Sequence, residues 1–336
     1  GYVRVSRARL RIVDAGPMTS VQDGGRPGWR RFGVPPSGPV DRRAFAAGMA
    51  ACGGSTSGIE VAPGGLTFVC EEGAVAMVVT GAARATVNGV DLGGWSRFTL
   101  PQGATCVVRV EQACWGYVAF AGTLRAPSWL GSQSTHLIAG LGGGRLGAGD
   151  VVEITQAREN LAFAMLPAPP DRPVRGLFRA VLGPQQDHFG QQALALLTSA
   201  SFVATSRFDR MGRGLDGPAL QPLRIDMPSG PAVRGALQVD GEGRVSLLTA
   251  DHQTTGGYPR IAVVIEPDID ALAQLPPGEA VRFELVSAAE AIAATRAAAS
   301  RDQAWLREIA VGVRERAPLM LANLVDGMAV RQGTSR

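Results

Sequence analysis

No lysine occurs in the 336-residue chain, so all 33 basic residues are arginine. That absence excludes a Schiff-base lysine, a pyridoxal anchor, a Walker A lysine and any lysine able to carry biotin or lipoate. Histidine is nearly as scarce, with only His136, His188 and His252. The four cysteines, Cys52, Cys70, Cys106 and Cys114, form no CxxC pair and no zinc-type spacing with those histidines, so no metal site is expected. Buried, reduced thiols in a cytoplasmic protein are the expectation instead. Long apolar runs are also missing. Stretches such as residues 74–80 are far too short to span a bilayer, and no signal peptide is read around residues 4–11, so no membrane is expected. The net charge of +4 is scattered, with no basic stripe interleaved with aromatics, which argues against nucleic-acid binding.

What the chain does contain is apolar and turn-rich: 46% hydrophobic residues, 44 Gly and 22 Pro. That composition favours a mainly β fold over a helical bundle. From Leu10 to Glu153 short apolar runs alternate with Gly, Pro and Asn turns, and Asn88-Gly89 is a strong hairpin signal. One helix interrupts them, at residues 42–51 with Asp41 as N-cap. An Ala/Pro-rich stretch reads as a linker. A second β-rich segment follows, with one helix near residues 187–197. Two similar Gly-acidic turns, Gly149-Asp150 and Gly278-Glu279, each feed an alternating strand, which suggests two related barrel-like halves. After Ser287 the spacing of Ile292, Trp305, Ile309 and Val313 is helical, and Pro318 breaks or kinks it. The organisation is therefore residues 1–160, a linker at 161–175, residues 176–287, and a helical extension at 288–336.

Two polar turns carry the candidate chemistry. Around Gln22, Asp23 and Arg26, an amide, a carboxylate and a guanidinium sit between glycines. Arg26 suits an anion and Gln22 an amide, although a local Asp23–Arg26 turn explains the same residues. Ser37 before the first helix offers a hydroxyl next to a helix start. The densest polar segment runs from Asp251 through His252, Gln253, Thr254, Thr255, Gly256 and Gly257 to Tyr258. Asp251 suits a base or orienter, His252 a proton exchanger and Tyr258 a hydrogen-bond donor. Gly142–Gly147 matches GxGxxG as a string, but a strand rather than a helix follows it, so dinucleotide binding is rejected.

The strings TSVQDGGRPGWRRFGVPPSGPVD (residues 19–41), IEVAPGG (59–65), LGSQST (130–135), GLGGGRLGAGD (140–150), DRMGRGLDGP (209–218) and DHQTTGGYPRIAVVI (251–265) resemble the biotin-dependent carboxyltransferase-like family. That family includes the C subunit of ATP-dependent 5-oxoprolinase, the second subunit of allophanate hydrolase, and the carboxyltransferase domain of urea carboxylase. The resemblance implies two tandem cyclophilin-like β-barrel domains, called subdomains A and B, with a site in the cleft between them. It implies a hydrolase component that opens 5-oxoproline to glutamate with ATP, the nucleotide being shared with partner proteins. Those partners resemble the B subunit and the A subunit of the oxoprolinase. The alternatives are a carboxyltransferase of a biotin-dependent urea carboxylase-type system, with biotin on another chain, or a non-catalytic antagonist of the B-type partner. On this reading Asp251, His252, Gln253, Thr254 and Tyr258 are catalytic. Gln22, Asp23, Arg26, Ser37, Arg145, Thr255, Gly256 and Gly257 bind substrate. The chain departs from the pattern where His252 replaces an arginine and Arg260 replaces a common lysine.

Overall fold

The computed structural model describes residues 6–110, 114–159, 161–167, 169–170 and 176–315. Pro318 therefore lies outside the described residues. The protein is mostly β, built as a half-barrel and a barrel with few helices. The half-barrel is an eleven-stranded sheet pivoting on the 13-residue strand Val75–Val87. That strand pairs with Val90–Leu100, Thr105–Val110 and Gly116–Phe120. It can serve three neighbours because its register slips between Val79 and Arg84, where Gly81 takes a φ of 71°. The expected hairpin is present: Asn88 and Gly89, at φ 48° and 83°, join Val75–Val87 to Val90–Leu100.

The second sheet closes into a barrel of strands Leu177–Leu182, Arg260–Val264, Ala236–Val239, Val245–Leu248, Gly212–Asp216, Phe202–Phe208 and Ala280–Leu285. Closure comes from the parallel pairing of Leu177–Leu182 with Ala280–Leu285. Gly149 and Gly278 adopt φ of 92° and 90° and lead into Val151–Thr155 and Ala280–Leu285, as the two similar turns predict.

Helix α1 spans Arg42–Ala51, and the Asp41 carboxylate accepts the Ala44 N–H at 2.9 Å as its N-cap. Helix α2 is Gln191–Ser199, starting later than the spacing suggests because Gln186–His188 forms a separate 3-10 turn. The second half also holds a helix the sequence reading did not anticipate, α3 at Glu266–Ala273. Its signals are Pro267 and the acids Glu266 and Asp268 in its first turn, hidden because it continues an apolar strand without a turn residue. Helix α4, Ala288–Glu315, is the expected tail. The described part of the linker is strapped down, since Ala164–Met165 pairs with Ser96–Arg97.

One apolar core lies within the half-barrel, around Leu10, Phe68, Met77 and Phe120. A second is shared. It runs from Phe45, Trp115 and Tyr117 on the half-barrel side into Phe178, Leu237 and Phe283 of the barrel. The two β units are therefore packed through a continuous hydrophobic seam, and polar groups trapped in that seam need partners.

Candidate functional site

The centre of the seam is Arg210, a barrel-side residue only 2% exposed. Its Nε donates to Asp251 Oδ2 at 2.9 Å and its Nη2 to Asp251 Oδ1 at 3.1 Å. Across the seam, Nη1 donates to Glu60 Oε1 and Nη2 donates to the Gly38 carbonyl at 2.6 Å. Glu60 lies on strand Gly58–Val61 of the half-barrel, fully buried. Its Oε2 accepts from Val40 N at 2.8 Å and from Tyr117 Oη at 3.0 Å. The Tyr117 hydroxyl accepts in turn from Asp41 N at 2.7 Å, so the chain of bonds reaches the start of α1. Burial opposes the Arg210 charge, but Asp251 and Glu60 outweigh it and hold the guanidinium protonated. Burial pushes the Glu60 carboxyl up, and Arg210, Val40 N and Tyr117 only partly offset it. One arginine thus locks two carboxylates from the two β units in a fixed, water-poor geometry.

The 19–26 turn is built onto residues 129–137. Burial works against the charge on Asp23, yet the Ser132 and Ser134 hydroxyls, Gln133 N and Gly25 N overcome it and hold the carboxyl below its ordinary range. Arg26, 2% exposed, donates to Ser37 Oγ at 3.1 Å and to the Ser134 carbonyl, and stacks over Trp129 with 5.2 Å to the ring centroid. Asp23 and Arg26 thus both grip the 129–134 segment. Ser37, at φ 53°, is held in the left-handed region that non-glycine residues seldom adopt. Gln22 Nε2 donates to Ser20 Oγ at 3.0 Å and to Thr135 O at 3.1 Å, while its Oε1 is buried without a partner among the described residues.

The two polar turns meet through one strip of backbone. Gln22 holds Thr135 O, and Leu137 N donates to Asp251 Oδ2 at 3.5 Å. Next to Asp251, His252 is 1% exposed, and burial lowers its pKa. Its Nδ1 lies 2.7 Å from the Gln253 carbonyl, which can only accept, so Nδ1 carries the proton and Nε2 keeps a lone pair. Gln253 Nε2 donates to Gln238 Oε1 at 2.8 Å, toward the barrel wall. The Thr254 carbonyl accepts from Ala232 N, and Thr255–Gly256 pairs with Gly230–Pro231 as a two-stranded ribbon. Gly257 is exposed, and Tyr258 is 49% exposed beside Arg244. Arg145 is exposed on the half-barrel, its backbone bridged to Ser20.

The geometry therefore brings together Gln22, Asp23, Arg26, Ser37, Asp251 and His252. Arg145 and Tyr258 point outward, and Gln253 turns toward the barrel wall. Sequence reasoning assigned no role to Glu60, Arg210, Tyr117 and Ser132–Thr135, which lock this centre. Glu60, Arg210 and Ser132–Thr135 lie within the strings that carry the family resemblance, and a lone acid among apolar residues was the available signal for Glu60.

The glycine run does not present a ready anion cradle. The Gly143 and Gly144 N–H groups donate to Gln133 O and Thr135 Oγ1, and Gly147 N donates to Asp150 Oδ2. The first two amides brace the 133–135 strip, and the third closes the turn before Val151–Thr155. Among the described residues no group of three or more His, Cys, Asp or Glu is placed to hold a metal ion, and no helix is long and apolar enough to cross a membrane.

The family model described as carboxyltransferase domain, subdomain A and B, matches residues 32–285. The chain is 33% identical over 290 residues to the 5-oxoprolinase C subunit of Haemophilus influenzae, covering 83% of this chain and 92% of that protein. It is 28% identical over 303 residues to urea amidolyase of Saccharomyces cerevisiae, covering 82% of this chain but 16% of that much longer protein. Among solved structures, the Kluyveromyces lactis urea carboxylase superposes with a TM-score of 0.79 over 89% of this chain and 29% of that one, at 22% identity.

Proposed function

Because the chain belongs to the carboxyltransferase subdomain A and B family, we propose that it is the C-type component of an ATP-dependent 5-oxoprolinase. It opens the lactam of 5-oxoproline to glutamate, and it works in a complex with a B-type and an A-type partner protein. The observation that carries this reading is the Glu60–Arg210–Asp251 lock, which fixes a carboxylate at the seam of two β units directly before His252 in the chain. The near full-length identity to a named 5-oxoprolinase component supports it.

Lactam opening adds water across a poorly electrophilic amide carbonyl. The ring nitrogen leaves as an amine, and a proton must be accepted from the nucleophile and returned to that nitrogen. His252 Nε2 is the group on this chain suited to take that proton. Asp251, held at both oxygens by Arg210, fixes the negative charge next to His252 and favours the protonated ring once it has taken the proton. The nucleotide is assigned to a partner protein or to a cleft between the proteins of the complex, because the Gly143 and Gly144 amides at the centre of the glycine run are already bonded. Biotin is not carried here, since the chain has no lysine. Four buried cysteines that form no disulfide among the described residues fit a cytoplasmic setting.

The test is to co-express the chain with the products of its neighbouring reading frames, purify what assembles, and measure glutamate released from 5-oxoproline with and without ATP. ATP-dependent glutamate release is the expected result. Carboxylation of urea with a biotinylated partner, in the absence of glutamate release, would replace this reading with the urea carboxylase-type one. Binding to a B-type partner with neither activity would favour the antagonist role.

A further inference from the structure

A cavity of about 610 Å³ lies where the two β units meet, and neither Asp251 nor His252 lines it. Hollows between domains, with apolar walls and few polar groups, are favoured places for small molecules. Here the half-barrel supplies Asp41 and Trp95, and the barrel supplies Phe178, Asp270, Leu275 and Pro276. Asp41, Trp95 and Leu275 are each half-buried, so each keeps accessible surface where it lines the hollow. Trp95 holds a φ of 50°, a left-handed backbone that a bulky residue seldom adopts, so the aromatic wall is set in place at a cost in strain.

The charges lining the cavity do not balance. Arg43 is committed to Asp302 at 2.7 Å and to the Pro170 carbonyl at 2.6 Å. Asp270 pairs with Arg234 and accepts Arg43 N at 3.1 Å. Asp41 has no such cation. Its two oxygens accept from Ala44 N and Gln274 Nε2, both at 2.9 Å, and no guanidinium bonds to it among the described residues. Burial and the Asp270 charge push its carboxyl up to about 6, which the Ala44 N–H, the Gln274 amide and Arg43 only partly offset. A carboxylate offers about four lone-pair sites, so both Asp41 oxygens can accept again. The start of α1 does not call for an anion, because Asp41 and Asp270 already take the Ala44 and Arg43 amides.

We propose that this cavity binds a primary ammonium ion carrying an apolar body. The ammonium donates to the Asp41 carboxylate, and the body packs on Trp95, Leu275 and Pro276. The unbalanced negative charge disfavours an anion, and a neutral ligand of the same shape gains nothing from it. The proposal stands apart from the oxoprolinase reading, since no residue assigned to that reaction lines the cavity.

The test uses the purified full chain at pH 8, where the Asp41 carboxyl is ionised, and follows thermal unfolding and heat of binding. The probes are benzylamine, benzyl alcohol and benzoate, one ring bearing in turn a cation, a neutral group and an anion. Benzylamine should raise the melting temperature and bind about 10- to 100-fold more tightly than benzyl alcohol, the range of one charge-assisted hydrogen bond. Benzoate should leave the melting temperature unchanged. Asp41→Asn keeps a capping side chain and should lose the preference for benzylamine. Ala271→Leu, which enters the same cavity from α3, should weaken benzylamine binding by taking up its space. The three-probe comparison on the parent chain needs neither variant to fold. Benzylamine bound no more tightly than benzyl alcohol, matched by benzoate, or bound only above about 10 mM would overturn the proposal, as would an unchanged preference in Asp41→Asn.

Discussion

Arg210 decides more than any other single residue, because it neutralises Glu60 and Asp251 together at 2% exposure. Arg210→Gln should therefore lose about 3–5 kcal/mol in a denaturant titration, the cost of stranding buried charges. Adding Glu60→Gln and Asp251→Asn to it should recover part of that loss. Cysteine chemistry runs the other way. Burial pushes the thiols of Cys52 and Cys106 up to about 12 and those of Cys70 and Cys114 up to about 11. All four should stay unmodified by a thiol reagent at pH 8 and react together on unfolding; fast modification of the native chain would contradict their placement. His252 gives a pH test. Burial lowers its pKa below the ordinary 6.5, and a step that needs the neutral ring is intact above that pKa and lost as pH falls through it. The acid limb of kcat/KM should lie below pH 6.5, and His252→Gln should abolish that limb along with most turnover.

At the scale of elements, the turns and caps were the most legible. Asp41 announced α1, and Asn88-Gly89 announced its hairpin, because both devices act within a few residues. Helix α3 was hidden because its apolar residues extend a strand's run and its start lacks a side-chain cap. The curl of the first sheet was hidden as well, since it depends on one long strand pairing with three partners distant in sequence. The tail helix was legible as a helix, but its docking was not. Trp305, 5% exposed, donates from Nε1 to Pro167 O at 3.2 Å and meets Trp95 at 6.0 Å, and Asp302 pairs with Arg43 of α1 at 2.7 Å. Trp305→Ala should destabilise the protein by about 3–5 kcal/mol, as expected for a large buried aromatic. A loss under about 1 kcal/mol would mean the helix is not docked as described.

For the molecule as a whole, two β units share one apolar core, and the polar seam within it holds the candidate site. The sequence showed both polar turns but not the contact between them, because Gln22 and Asp251 meet only through Thr135 and Leu137 of a third segment. Glu60 and Arg210, which lock the seam, were given no role from the sequence because their pairing exists only once the two β units are placed together. The substitution that probes this arrangement is Asp251→Asn. It removes the charge yet leaves Arg210 paired with Glu60, whereas Ala at 251 would leave a hole beside a buried cation. The most direct measurement is ATP-dependent glutamate formation by the assembled complex carrying Asp251→Asn. A fall in kcat of at least about 100-fold, in a complex that still assembles although the variant melts lower for losing one acceptor of Arg210, is the predicted result. An unchanged kcat in that same assembled complex would contradict the account.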